Sequence, residues 1–476
     1  MRRCGILLPV FSLPSPWGIG TLGKEAREFV DFLHQAGQHV WQILPIHPTG
    51  YGNSPYYTLS AFAGNPNLID PAQLAEAGLL KKEELAGLFC RGPQNQVDYG
   101  WVEAGRRELL YRAFRRFDRT DGAFENFREK TGWWLVPYSR YLALRKKEGT
   151  VPWNRWQGAQ PEEEAVEFHQ VVQYFFFSQF AALRAYARGK QVAILGDVPF
   201  YVPHDSADVW QNRALFHLDR EGAPRLVAGC PPDDLAPQGQ RWGFPVYRWQ
   251  EAEEAVTNWW CRRIAWGLEL FDGLRLDHFR GFESFWAIPA GEPGADRGFW
   301  LPGPGEAFFR RIKERVPEGW LIAEDLGTVT PRVRQLLAAT GFAGMKVLLF
   351  AFATDWRNEH LPHRYEGTHW VCYSSLHDTM TARQWLLEAP VRQQENFRTY
   401  VGRQRVRAWA LASLCLESPA ELAMIPLQDY LELGEEGRMN VPGTVGPHNW
   451  SWRAGPQALT DSLAEKIRAL CRDTGR

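Results

Sequence analysis

The stretch "FDGLRLDHFRG", residues 271–281, decides how this chain is read. An extended strand repeats every two residues, so Leu274 and Leu276 fall on one side and Gly273, Arg275 and Asp277 on the other. An apolar strand that carries an arginine and an aspartate on one face, and ends in Asp-His, brings charge to its C-terminal end. Seven further runs have the same character: "GILLPV" (5–10), "HVWQILPI" (39–46), "QVAILGDVPF" (191–200), "WLIAEDLG" (320–327), "GMKVLLFAF" (344–352), "HWVCYSSLHD" (369–378) and "ELAMIPLQD" (421–429). Several are almost continuously apolar, as strands buried on both faces are.

Helical periodicity lies between most of these runs. In "KEAREFVDFLHQAG" (24–37), Ala26, Phe29, Val30, Leu33 and Ala36 make one apolar stripe, and Gly37 stands where a helix stops. Eight strands alternating with helices predict an α/β chain folded as a (β/α)8 TIM barrel. An open doubly wound sheet is the alternative. Long gaps follow the second and third runs. They predict two insertions in a single catalytic barrel spanning 1–476: a mostly helical subdomain at 47–190 and a loop and helix subdomain at 201–270. The run 458–473 reads as a final helix.

Bulk properties exclude several classes of protein. Of 476 residues, 45% are hydrophobic and 23% charged, and 54 basic residues balance 55 acidic ones to a formal charge of -1. Neither nucleic acid nor an anionic membrane is expected as a partner, and no apolar run is long enough to span a bilayer. The N-terminal apolar run is broken by Pro9, Pro14 and Pro16 and lacks a small-residue cleavage site, so it reads as the first strand and not a leader. Seven scattered cysteines without a Cys-x-x-Cys pair fit a reducing cytoplasm and argue against structural zinc. Many of the 22 tryptophans belong to the core, and some excess is what a surface on which sugar rings lie flat would need; composition alone does not separate the two uses.

In a barrel, chemistry sits at the C-terminal ends of strands. Asp197 ends the third run, Asp277 and His278 the fourth, Glu324 and Asp325 the fifth, His377 and Asp378 the seventh, and Gln428 and Asp429 the eighth. Carboxylates at matching levels converge on one pocket, and two carboxylates flanking a bond are the apparatus of glycoside chemistry. Arg275 is expected to favour the anion of Asp277, while partial burial and nearby aspartates raise the pKa of Glu324; a purely structural Arg275–Asp277 pair is the competing explanation. No His-Glu-x-x-His or paired His/Cys spacing points to a metal. His204, His278 and His377 lie beside aspartates, as donors to substrate hydroxyls or as core histidines. "GIGTLG" (18–23) matches Gly-x-Gly-x-x-Gly, but "FSLPSPW" separates it from the strand and no acidic residue follows to hold a ribose, so no dinucleotide cofactor is expected. Tyr51, Tyr56, Trp210, Trp242 and Phe244 stand near turns and strand ends as candidate sugar platforms.

Taken together, "GILLPVFSLPSPWGIG", "AGQHVWQILPIHPTGYGNSPY", "SAFAGNPNLID", "GDVPFYVPHDSADVW", "GQRWGFPVYRW", "GLRLDHFRG", "IAEDLG", "IPLQDYLELGEEGRMNVPGT" and "NWSWR" closely resemble the amylomaltase or disproportionating-enzyme family of 4-alpha-glucanotransferases, glycoside hydrolase family 77. The resemblance implies a barrel without a C-terminal β-domain, no cofactor, and a retaining double displacement between an alpha-1,4-glucan donor and a glucose or maltooligosaccharide acceptor. It implies Asp277 as nucleophile, Glu324 as general acid/base, and Arg275 as the charged neighbour of Asp277. His377 and Asp378 are implied as the pair that grips sugar hydroxyls. Tyr56, Asp197 and Trp242 match groove positions, and Tyr51 matches an aromatic of a secondary glucan contact. Hydrolysis by the same residues, or glucan binding without turnover, are the alternative functions.

The chain also departs from the family pattern. Where Thr-Gly-Thr-His-Asp-Asn-Asp-Thr is usual it has "SSLHDTMT" (374–381). Tyr57 stands for a common Gln and Phe244 for a frequent Asn or Ser. Asp234 and Leu235 remove ring surface from the Pro- and Gly-rich loop 229–245, a candidate cover for the cleft.

Overall fold

The computed structural model describes every residue except 1, 89–91, 93, 150, 233–237 and 403–408. Eight strands, all parallel, wrap into a barrel at the centre of the chain. They are β1 (Arg3–Leu7), β2 (Val40–Gln42), β3 (Ala193–Val198), β6 (Gly273–Leu276), β9 (Leu321–Ala323), β10 (Gly344–Val347), β11 (Trp370–Tyr373) and β12 (Leu422–Pro426). Neighbours run in the order β10-β11-β12-β1-β2-β3-β6-β9. The circle closes where Ile322 bridges Ala343 in parallel and the Ala323 N–H donates to the Ala343 carbonyl at 2.9 Å. Each of the eight sequence runs overlaps one of these strands, so the closed barrel replaces the open-sheet alternative.

The strands are short because both of their faces are covered. Every residue of β2, β6, β9, β10 and β12 is buried. The helix Lys24–Gln35 shows how the outer layer packs: Ala26, Phe29, Val30 and Leu33 are buried, and Gly37 beyond its end adopts a positive φ of 69°. The "GIGTLG" glycines serve packing. Gly20 donates its N–H to the Phe11 carbonyl at 2.9 Å, and a Cβ there would fall 1.9 Å from the Val10 carbonyl oxygen.

Two long excursions rise from the barrel. Between β2 and β3 run the helices Tyr99–Arg116, Gly122–Glu148 and Glu163–Gly189. The last of these fixes the loop that leaves β2. The Gln173 side chain accepts from the Gly64 N–H at 2.7 Å and donates to the Gly64 carbonyl at 2.9 Å, and Gln179 brackets the backbone of Asp70 in the same way at 2.7 and 3.0 Å. The buried Asp208 accepts from the Ala61 N–H at 2.8 Å. These anchors hold the segment that carries Tyr51 and Tyr56.

The second excursion holds β4 (Leu226–Cys230), β5 (Gln240–Pro245) and the helix Glu253–Leu270. β4 and β5 join β7 (Ser284–Pro289) and β8 (Phe299–Pro302) in an antiparallel sheet of order β5-β4-β7-β8. The sequence reading of 201–270 as loop and helix did not contain this sheet. Its strands are short, and Gly229, Gly243 and Pro245 interrupt the alternation that marks a strand. Asp234 and Leu235 lie outside the described residues. Among the described residues no strand follows β12, the helix Asp461–Asp473 packs on the barrel, and no helix is long and apolar enough to cross a membrane.

Candidate active site

The register of β3 against β6 sets the first charge cluster. Asp197 and Arg275 are direct partners across the parallel pair, so their side chains enter the same end of the barrel. Arg275 is 4% exposed, and its Nη1 donates to both Asp197 oxygens at 2.8 Å. The same nitrogen lies 3.0 Å from Asp277 Oδ1. Asp277 follows β6 directly, and its N–H still extends the ladder to the Val198 carbonyl at 3.1 Å.

Asp197 connects this cluster to the seventh barrel strand. The Tyr56 hydroxyl donates to Asp197 Oδ2 at 2.6 Å and lies 2.9 Å from His377 Nε2. The Tyr56 and His377 rings stack at 5.4 Å. With the hydroxyl proton committed to Asp197, the phenol oxygen accepts from His377, which assigns the Nε2–H tautomer. Asp378 follows, with Oδ2 at 3.5 Å from His377 Nε2 and Oδ1 accepting from Asn440 Nδ2 at 2.7 Å. Its side chain is 46% exposed and faces open space beside a nearly sealed histidine.

Glu324 follows β9, and its N–H donates to the Leu276 carbonyl at 3.0 Å. Its carboxylate accepts from the His278 N–H at 2.6 Å. His278 makes this contact by adopting the left-handed conformation, with φ 49° and ψ 48°, which turns the chain sharply after Asp277. One backbone turn therefore joins the two carboxylate positions. The His278 imidazole meets the edge of Trp242 at 4.9 Å. Burial, reinforced by Arg280, lowers its pKa to about 3, so the ring is neutral.

Burial also governs the acids. It raises Glu324 to about 8, against the attraction of Arg275 and with added repulsion from Asp277, as the sequence predicts. Asp277 corrects the expectation. Arg275 does pull it down, but burial outweighs that pull and the repulsion of Asp197 and Asp378 adds to it, so the group rises to about 7. The guanidinium restrains a pKa that burial would otherwise carry higher.

A family model described as 4-alpha-glucanotransferase matches residues 8–458. The chain belongs to this family. A 4-alpha-glucanotransferase of Thermus thermophilus is 42% identical over 501 aligned positions, covering 100% of this chain and 99% of the relative. That of Aquifex aeolicus is 43% identical, with 95% of each chain covered. Among solved structures, an amylomaltase from Streptococcus agalactiae in complex with acarbose is similar with a TM-score of 0.95 and 34% identity, over 100% of both chains.

Several readings of this 4-alpha-glucanotransferase chain resolve differently from one another. Asp197, Arg275, Asp277, His278, Glu324, His377, Asp378, Tyr56 and Trp242 form one connected set. Tyr51 is 68% exposed and stands outside the set, against the ring of Tyr57. His204 bonds the Gly222 carbonyl at 2.7 Å, and Trp210 packs on Tyr141 and Trp156; both belong to packing. Asp325 accepts from the Met345 N–H at 2.7 Å and helps seal the barrel seam. Asp429 is structural as well. It accepts from the hydroxyls of Ser374 and Ser375 at 2.6 and 2.8 Å and from the Ala382 N–H at 2.8 Å. The unusual "SSLHDTMT" stretch thus retains a braced loop: its serines bind Asp429, and Thr379 turns its hydroxyl to the carbonyls of Leu376 and Met380.

Two site residues escaped the sequence reading. Asn440 holds Asp378, and Trp450 lies 5.8 Å from Tyr56 and 6.0 Å from His377, ring to ring. Both follow the last barrel strand in a segment without periodicity. Their signal was indirect, in "GEEGRMNVPGT" and "NWSWR". Trp450 also adopts a positive φ of 61°, which no pattern announces for a tryptophan. Among the described residues no group of three His, Cys, Asp or Glu side chains is arranged to hold a metal ion.

Proposed function

We propose that this 4-alpha-glucanotransferase transfers segments of one alpha-1,4-glucan to the 4-hydroxyl of another glucan or of glucose, through a glycosyl-enzyme ester on Asp277. The Asp277 carboxylate attacks the anomeric carbon, and Glu324 gives its proton to the departing glycosidic oxygen. The shortened donor leaves. Glu324, now anionic, takes the proton of the acceptor hydroxyl as that oxygen attacks the anomeric carbon and expels Asp277. Two inversions give retention, which calls for carboxyl groups about 5–5.5 Å apart.

The observation that carries this reading is the His278 turn. It places the amide that binds Glu324 immediately after Asp277, beside the buried Arg275. Each acid then has the character its step needs. Glu324 is pushed toward the protonated form, while Asp277 keeps a cation within ion-pair distance. Asp378, open on one side and held by Asn440, is suited to accept sugar hydroxyls together with His377. Asp197 and Tyr56 fix Arg275 and His377. Trp242, His278 and the outlying Tyr51 offer faces to further sugar units, which makes 47–190 and 201–270 the walls of the glucan groove. A cytoplasmic setting fits the buried, reduced thiols of Cys4, Cys372, Cys415 and Cys471. Exclusion of water from the ester would favour transfer over hydrolysis.

Incubation with maltotriose tests the proposal. Transfer yields glucose and longer oligosaccharides at a nearly constant number of reducing ends. A steady rise in reducing ends marks a hydrolase, and unchanged maltotriose marks a binding protein. Asp277→Asn abolishes turnover with the fold retained; near-full activity in that variant overturns the nucleophile assignment.

A further inference from the structure

A train of aromatic rings runs from the outlying Tyr51 toward the carboxylates. Tyr56 and Tyr57 are adjacent but serve different surroundings. Tyr56 goes inward to Asp197 and His377. Tyr57 goes to Phe244, with ring centroids 5.5 Å apart and a tilt of 53°, and to Tyr51 at 6.1 Å.

The turn before Tyr57 is shaped to admit its ring. The Gly50 N–H donates to the Tyr57 carbonyl at 2.7 Å, Thr49 bridges Thr58, and a Cβ at Gly50 would fall 2.9 Å from Tyr57 Cδ1. β5 supplies the opposite end. Trp242 and Phe244 flank Gly243, whose φ of 80° breaks the strand's alternation. Both pack on the buried ring of Tyr201, at 6.1 and 6.5 Å. Trp242 then meets His278, whose amide binds Glu324.

Tyr57, Phe244 and Trp242 all remain partly exposed. Phe244 packs on Tyr57 and Tyr201 and, having no polar group, leaves an apolar face on its open side. A contiguous apolar surface that continues into a catalytic cleft marks a binding face. An α-1,4-glucan fits it, since sugar rings present C–H faces to aromatic rings.

We propose that Tyr57 and Phe244 form a bridging sugar platform that joins Tyr51 to the Trp242–His278 wall and sets a preference for long glucans. The inference rests on the glucan reading of the site. Tyr57 and Phe244 are one feature because their rings touch. On this proposal a short oligosaccharide occupying the carboxylates stops before the platform, whereas a long one crosses it.

The test compares maltoheptaose with maltotriose for the variants Tyr57→Gln and Phe244→Asn. The ratio of kcat/KM for the long over the short substrate falls about tenfold in each, corresponding to about 1.4 kcal/mol. The change appears in KM for maltoheptaose and not in kcat. The double variant falls by less than the product of the single effects, because the rings act as a unit. Quenching of tryptophan fluorescence by each sugar gives the same ratio without turnover. An unchanged ratio, or equal losses on both sugars, overturns the platform. The glucan-transfer reading fails separately: it falls if wild-type enzyme raises reducing ends from maltotriose, and the length ratio in binding then still decides the platform.

Discussion

Replacing Arg275 with methionine tests the electrostatics of the site directly. The substitution keeps a long apolar side chain and removes the one cation that contacts both Asp197 and Asp277, at 2.8 and 3.0 Å. The charges are spread over each group, so their centres lie about 4 Å apart, where an effective dielectric constant of about 20 gives an attraction of about 4 kcal/mol. That corresponds to about three pKa units. Asp277 starts near 7 because burial already opposes its anion, so without Arg275 its ionised fraction at pH 7 falls by about 10³. Glu324 also loses the restraint of Arg275 and rises further, so it keeps its proton to higher pH. The expected result is a kcat/KM for maltotriose about 10³ lower at pH 7 that climbs by about tenfold per pH unit on the alkaline side, with the optimum displaced upward. Glucose release measured from pH 5 to 10 gives the profile. A melting curve controls for the loss of a buried pair, which costs about 3–5 kcal/mol. A loss that is uniform across pH, with an unmoved optimum, refutes the role assigned to the guanidinium.

On the proposed roles the unmodified enzyme is expected to show a bell-shaped kcat/KM profile, rising as Asp277 loses its proton near 7 and declining as Glu324 loses its own near 8. An optimum below pH 5 contradicts this order of ionisation. Asn440→Ala removes the N–H that Asp378 accepts at 2.7 Å; a hydrogen bond to a charged group contributes about 1.5–3 kcal/mol, so kcat/KM drops by roughly 10–100-fold. Asn440→Asp drops it further by setting two carboxylates together, and steady-state kinetics on maltotriose that rank Asp above Ala go against the bracing role.

The barrel was legible because its strands are buried on both faces. Such strands need apolar runs, and helices between them need apolar stripes; "QVAILGDVPF" and "KEAREFVDFLHQAG" answer both requirements. The carboxylates were legible for a related reason. A strand end is the place where an apolar run first tolerates charge, so Asp277, Glu324 and Asp378 mark their own positions. The sheet formed by β4, β5, β7 and β8 escaped because short strands rich in Gly and Pro carry little periodicity. Asn440 and Trp450 escaped because they act from irregular backbone, where position depends on tertiary contacts and not on a local repeat. The pKa of Asp277 was misjudged for a different reason: the sequence displays the neighbouring arginine but not the depth of the pocket, and depth is the larger effect.

The brace on Asp378 bears on when this enzyme becomes active during its own synthesis. Both acids leave the ribosome well before Leu422–Pro426, the strand that stands between β11 and β1, and earlier still than Asn440 and Trp450. A nascent chain halted between Glu324 and Asn440 bears its reactive groups on an unclosed sheet, without the amide that steadies Asp378 or the indole beside His377. On the proposed reading, a chain that ends before Asn440 is expected to lack glucan transfer, which a truncated variant assayed on maltotriose checks.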